Sequence, residues 1–167
     1  MSSERSRSIP RTAYRHGDLR RTLLESGIEL ARAMEAELAA LGARRSSARY
    51  AWASVRAVGT GYLRFSRAEP GLFRTAFSVP IDVSGPLDPA AQGASGMGPF
   101  ELLSGALDCL VSAGVMPPAR RPGAEFLAWS AVHGMAMLAI EGPLSGLAAG
   151  PLEALAQRLL DMVERGL

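Results

Sequence analysis

The chain has 167 residues, 48% of them hydrophobic and 20% charged, a balance that suits one domain with a real core and excludes a disordered or fibrous chain. Every basic residue is arginine and the formal net charge is only +2, but residues 1–21 hold six arginines against Glu4 and Asp18, a local excess of four positive charges, while the remainder is acidic by two. The single cysteine, Cys109, allows no internal disulfide, and no uninterrupted apolar run of about 18 residues occurs, so a cytoplasmic protein with neither export signal nor membrane span is expected.

Residues 1–13 are rich in Ser and Arg and read as a basic arm of the kind that suits phosphate backbones. Asp18 is a suitable N-cap for the helix that follows, in which Leu19, Leu23 and Leu30 fall on one line with Leu24 and Ile28 beside it, and Met34, Leu38 and Leu41 continue the period. Periodicity alone draws one helix from Asp18 to Leu41, stopped at Gly42. A second helix is predicted from Ser47 to Ala68, with Trp52, Val55, Gly59, Tyr62 and Ser66 on one face; Gly59 and Gly61 either weaken it or admit a close neighbour. Glu69-Pro70 ends it, and a short helix from Pro70 to Phe77 presents Leu72, Phe73 and Phe77.

Residues 80–99 carry prolines and glycines throughout and predict a loop bordering a binding site. An amphipathic helix follows from Pro99 to Ala113, with Phe100, Leu103, Leu107, Leu110 and Val111, and a proline-rich linker after it. The segment from Ala124 to Glu141 is apolar on nearly every side, so it must be covered on more than one face. The last helix starts at Pro151, carries Leu152, Leu155, Leu159, Met162 and Val163, and ends at Gly166. No stretch reads as a strand, and the fold class is all-α.

Catalytic chemistry finds little support. The two histidines, His16 and His133, are far apart, no Cys/His spacing fits a metal, and Gly93, Gly96 and Gly98 follow no strand, so no metal, cofactor or enzymatic activity is expected. Cys109 lies on an apolar helix and reads as a small core residue.

Two segments stand above this background: Tyr14-Arg15-His16-Gly17-Asp18-Leu19-Arg20-Arg21, and Trp129-Ser130-Ala131-Val132-His133-Gly134 with its apolar continuation. The first resembles the run that leads into the first helix of many TetR-type repressors, and the second resembles the Trp-x-x-x-His-Gly signature of one class of TetR C-terminal domains. The resemblance covers most of residues 14–167 and implies a TetR-like helical bundle. It departs at one place. The family's helix-turn-helix, whose second helix enters the major groove, has no counterpart between Arg32 and Met34. Either the chain lacks the reading head or residues are missing from the sequence there, and the second is the expectation. The domains are accordingly 1–33, the arm with the first helix of an incomplete DNA-binding part, and 34–167, the ligand-binding and dimerisation domain.

What the resemblance implies is a transcriptional regulator, a repressor, that binds operator DNA as a homodimer and answers to a small apolar effector. The alternative is a dimeric sensing module without the reading head. The arginines placed for DNA are Arg11, Arg15, Arg20 and Arg21, as phosphate contacts that position the protein and carry no sequence readout. Candidate ligand contacts on the central helices are Trp52, Tyr62, Phe65, Phe73 and Phe77, with Phe100, Leu103, Trp129, His133 and Met137 after the loop. Tyr62 and His133 are the polar groups among them, and Gly134 beside His133 suits close helix packing. The last two helices supply the expected dimer interface, through Met135, Leu138, Leu152, Leu155, Leu159 and Met162, as half of an intermolecular four-helix bundle.

Overall fold

The computed structural model describes residues 16–42, 47–78 and 92–167, with side chains from Arg21 onward. Six helices make up this part: α1 (His16–Ala39), α2 (Ala48–Ala68), α3 (Pro70–Ala76), α4 (Pro99–Ser112), α5 (Ala124–Ile140) and α6 (Ala149–Gly166), with one 3-10 turn at Pro118–Arg120 between α4 and α5. No strand occurs among the described residues, and the all-α expectation holds.

Local chemistry accounts for most boundaries. Ser47 caps α2 by accepting the Tyr50 amide at 3.1 Å, and Glu101 reaches back to the Gly98 amide at 2.7 Å to close the start of α4. Gly42, with φ of +73°, takes the left-handed turn that ends α1 where the sequence placed the stop. Two starts fall earlier than expected. α1 begins at His16 and not at an Asp18 cap, and α6 begins at Ala149, with Pro151 inside its first turn where a missing amide is harmless. α1 also runs without a break through Arg32, Ala33 and Met34, and no helix-turn-helix pair interrupts it.

α2 is the hub and touches all five other helices. It can do so because small residues alternate with large ones on its buried faces: Ala51, Ser54, Ala57, Gly59 and Gly61 lie among Val55, Val58, Tyr62, Leu63 and Phe65. A Cβ at Gly61 would stand 2.6 Å from the Met34 Cα, and one at Gly59 would stand 2.6 Å from the Leu160 side chain. The two glycines are therefore the close-approach points for α1 and α6, the second of the two roles open to them in the sequence. The hydroxyls of Ser54 and Ser66 turn back onto the carbonyls of Ala51 and Leu63, so neither is buried without a partner.

Phe73, Leu107 and Leu110 are fully enclosed at the centre of the core. Polar seams hold its edges. Arg56 of α2 donates to Gln157, Asp161 and Glu164 along one face of α6, and Arg67 donates to Glu153 a few turns away. Between α4 and α5, Arg121 donates to Glu125 at 2.7 Å, to Asp108 at 2.7 Å and to the Ser104 hydroxyl at 2.8 Å. The only described part of the expected loop, residues 92–98, is fixed to α1: Glu35 accepts the amides of Ala94 and Ser95 at 3.0 and 2.8 Å. The rest of that loop lies outside the described residues.

Candidate functional site

The apolar faces of the helices converge without filling the space between them. They leave a cavity of about 320 Å³, to whose wall all six helices contribute. α1 supplies Leu23, Leu24, Leu30 and Met34; α2 supplies Val55, Val58 and Tyr62; Ala76 and Phe77 close one end. From the other side come Pro99, Phe100 and Leu103 of α4, Ala128, Trp129 and Val132 of α5, and Leu160 and Val163 of α6. An apolar space of this size has the dimensions and lining of a small-molecule pocket, and it offers few partners to water.

An aromatic cluster forms one side. The Trp129 ring sits about 6 Å from both Phe77 and Phe100. Behind it, the Tyr62 hydroxyl lies 3.1 Å from the Trp129 indole nitrogen and 2.8 Å from His133 Nδ1. An indole N–H only donates, so the phenol oxygen accepts it and gives its own proton to the imidazole. Burial pushes the Tyr62 phenol above its ordinary range and keeps that proton in place, and burial lowers the His133 imidazole below its ordinary value. Phe77 and Phe73 cover the imidazole, with ring centroids 4.7 and 5.7 Å away.

Another part of the wall is charged. Glu164 accepts from Arg56 Nε at 2.8 Å and from Nη2 at 2.9 Å, and both residues line the cavity. Glu164 above all, with Asp161, holds the guanidinium charged beyond its usual range against the cost of burial.

Of the ten residues placed at a pocket by sequence, Tyr62, Phe77, Phe100, Leu103 and Trp129 line this cavity. His133 stands one layer behind it, against Tyr62. Phe65 and Phe73 are buried in the core and are not part of the lining, and Trp52 and Met137 pack half-buried against that core. Periodicity could not single out the α1 residues, because any apolar stripe looks alike before it has a partner. Arg56 and Glu164 were missed because a polar residue on an amphipathic helix reads as a solvated one.

The residues placed at a dimer interface divide. Leu138 and Met162 are exposed, and Met135, Leu155 and Leu159 are half-buried. Leu152 is buried within the chain, because the inward stripe of α6 runs through Leu152, Ala156, Leu160 and Val163, turned away from the line of Leu155, Leu159 and Met162. The exposed side of α5 adds Phe126 and Leu127, at 51% and 68% exposure, which the sequence did not single out. Gly134 opens onto this side as well. Among the described residues nothing lies within 4 Å of the point where a methyl group on its Cα would stand, so it serves no close packing there.

Of the four arginines placed at DNA, Arg11 and Arg15 lie outside the described residues, as does the side chain of Arg20; Arg21 is exposed and stands 3.7 Å from Glu25. Cys109 is half-buried and packed against the core. No group of acidic, His or Cys side chains among the described residues could hold a metal, and no helix is long and apolar enough to cross a membrane.

The family model described as Tetracyclin repressor-like, C-terminal domain matches residues 55–163. The chain belongs to that family. No match was found among curated proteins or among solved structures. The matched span of this TetR-like domain runs from the middle of α2 to near the end of α6, and so includes the Trp129-to-Gly134 segment that carried the resemblance. The geometry gives that segment a physical meaning. Trp129 and His133 are one helical turn apart on α5, and both meet the same Tyr62 oxygen.

Proposed function

We propose that the protein is the ligand-sensing and dimerising component of a transcriptional regulator, with a small apolar effector held in the cavity. The observation that carries this reading is the cavity itself, to whose wall every helix contributes. A molecule bound there touches α1 and the α5–α6 pair at once. It therefore shifts any equilibrium in which those helices move relative to each other, by as much as its affinity differs between the two arrangements. The outer faces of α5 and α6 are the proposed homodimer interface, with Leu138 and Met162 at its centre and Gly134 admitting a helix of the second copy.

Binding is tested by titrating apolar compounds into the protein and following Trp129 fluorescence, isolated by Trp52→Phe, together with the melting temperature. Saturable quenching and a rise in melting temperature are expected, both abolished by Val132→Phe, which adds bulk to the cavity wall. A Val132→Phe variant that responds like the parent protein would place the ligand elsewhere.

Two forms of the regulator follow from the sequence. In the first, the dimer represses by binding operator DNA, with Arg11, Arg15, Arg20 and Arg21 on phosphates. In the second, it senses and dimerises without a reading head of its own. Fluorescence anisotropy with duplex DNA separates them. The second form gives only weak binding that fades with salt and ignores sequence, whereas a tight, sequence-dependent complex establishes the first.

A further inference from the structure

The ion-pair cluster at the charged part of the cavity wall is unequal in charge. Arg56 brings one positive charge, and it faces two carboxylates, Glu164 and Asp161. Four of its five N–H groups are already engaged: Nε and one Nη2 proton by Glu164, the other Nη2 proton by Asp161, and one Nη1 proton by Gln157 at 2.9 Å. The patch therefore presents a net charge of about −1 and accepts hydrogen bonds far more readily than it donates them. Of these three charged groups Arg56 and Glu164 line the cavity, with Asp161 bonded to Arg56 beside it, and no further charged side chain among the described residues is part of the lining. The one phenol on the wall adds no donor, because the Tyr62 hydroxyl already donates its hydrogen bond to His133.

These relationships discriminate among ligands. A carboxylate would meet a guanidinium whose donors are taken and two like charges beside it. A neutral ligand would gain only the apolar wall. An ammonium group at the end of an apolar body would place its charge beside Glu164 and its body among Phe77, Phe100 and Trp129. Glu164 and Asp161 retain 24% and 43% of their side-chain exposure, so the ammonium keeps part of its water there and escapes most of the cost of burying a charge. We infer that the cavity selects a lipophilic amine over the neutral or anionic molecule of the same skeleton. This rests on the proposed ligand-binding role of the cavity, and it adds the chemical class. At the packing density of a protein interior the space holds a body of about a dozen non-hydrogen atoms.

Three probes of that size share one skeleton: phenylbutylamine, phenylbutanol and phenylbutanoate. Titration calorimetry at neutral pH should rank them amine, alcohol, acid. Each step should be roughly tenfold, the effect of one unit charge several ångströms away at intermediate dielectric. Asp161→Asn removes one negative charge without altering a residue of the wall, and it should bring the amine close to the alcohol while leaving alcohol binding unchanged. Glu164→Gln should do the same from the wall itself, with a melting curve confirming that each variant is folded. Equal binding of all three probes, or tightest binding of the acid, overturns the selectivity and leaves the cavity as a ligand site. An amine preference that survives both substitutions also overturns it. Failure of all three probes, the neutral alcohol included, overturns the cavity reading together with the selectivity.

Discussion

The Tyr62 hydroxyl lies 2.8 Å from Nδ1 of His133, and because it also accepts the indole proton of Trp129, the imidazole is held as the neutral tautomer with its proton on Nε2. Three residues from α2 and α5 thus share one hydrogen-bond chain, which runs from Tyr62 and Trp129 on the cavity wall to His133 behind it. A cation at His133 would turn the Nδ1 proton toward an oxygen whose own proton must then find another acceptor among Phe73 and Phe77.

That arrangement sets a pH dependence. Burial lowers the His133 pKa below its ordinary 6.5, so in acid the unfolded chain takes up this proton before the folded one does. The stability contributed by the neutral histidine is complete above pH 6.5 and is lost progressively as pH falls from there toward the folded-state pKa. Melting temperatures measured from about pH 8 to about pH 5 should be flat at first and then decline. His133→Gln cannot titrate and should flatten the part of the decline that belongs to this residue. Glu35, Glu125 and Glu153, all held below the ordinary 4.5, add their losses only at lower pH. An unchanged decline in the glutamine variant would show that another group is responsible.

A second prediction concerns the crossing of α1 and α2. At Gly61 a methyl group would collide with the α1 backbone, 2.6 Å from Met34 Cα and 2.7 Å from the Ala33 carbonyl oxygen. Backbone cannot step aside as a side-chain end can, so Gly61→Ala should cost about 1–3 kcal/mol in urea denaturation. Gly105 is the control, because its methyl position on α4 is open, and Gly105→Ala should gain up to about 1 kcal/mol from helix propensity. A neutral Gly61→Ala would mean that α1 does not lie this close.

What could be read in advance follows from the range of the interaction concerned. Helix extents depend on residues a turn or two apart, and so Ser47, Pro70, Pro99 and Gly42 marked them within a residue or two. Gly61 was recognisable as a possible contact point, though its partner at Met34 was not. The cavity depends on contacts between distant segments: Arg56 and Glu164 are 108 residues apart, and nothing near either announces the other. Leu152 and Leu155 show the same limit within one helix. Both are apolar and close in sequence, and only the positions of α2 and α5, on which α6 packs, decide that Leu152 turns inward while Leu155 stands nearer the surface. The aromatic half of the wall was legible because large rings on buried helices tend to meet, and His133 was placed among them without the layer it occupies.

The α4–α5 junction yields a third prediction. Glu125 is 8% exposed, and its carboxylate accepts from Arg121 and from the Ser104 hydroxyl at 2.9 Å. Burial alone would raise its pKa, but its own backbone amide, Arg121 and Ser104 outweigh that and hold it below the ordinary value. Glu125→Ala strands part of the Arg121 guanidinium and the Ser104 hydroxyl, and should destabilise by about 1–3 kcal/mol. Asp108, the other carboxylate on Arg121, has a side chain 65% exposed, so Asp108→Ala should change the melting temperature little. Equal losses from the two variants would contradict the ranking by burial.

The fourth prediction tests the proposed interface without disturbing the protomer. Met162 is 58% and Leu138 is 45% exposed, so a charge at either is solvated in an isolated chain and costs its fold little. Within a dimer the same charge would be buried against an apolar partner surface, at a cost large enough to reverse association at micromolar concentration. Met162→Glu and Leu138→Glu should therefore each shift the sedimentation coefficient from dimer to monomer while the circular dichroism spectrum stays unchanged. Leu152→Glu makes the contrast, since its side chain points into the core of its own protomer and its substitution should unfold the chain before it dissociates anything. Gly134→Phe adds a steric test at the same surface: its methyl position is open in the protomer, so bulk there disturbs only a neighbour that packs against it. If Met162→Glu, Leu138→Glu and Gly134→Phe all remain dimeric, the two copies meet through some other face.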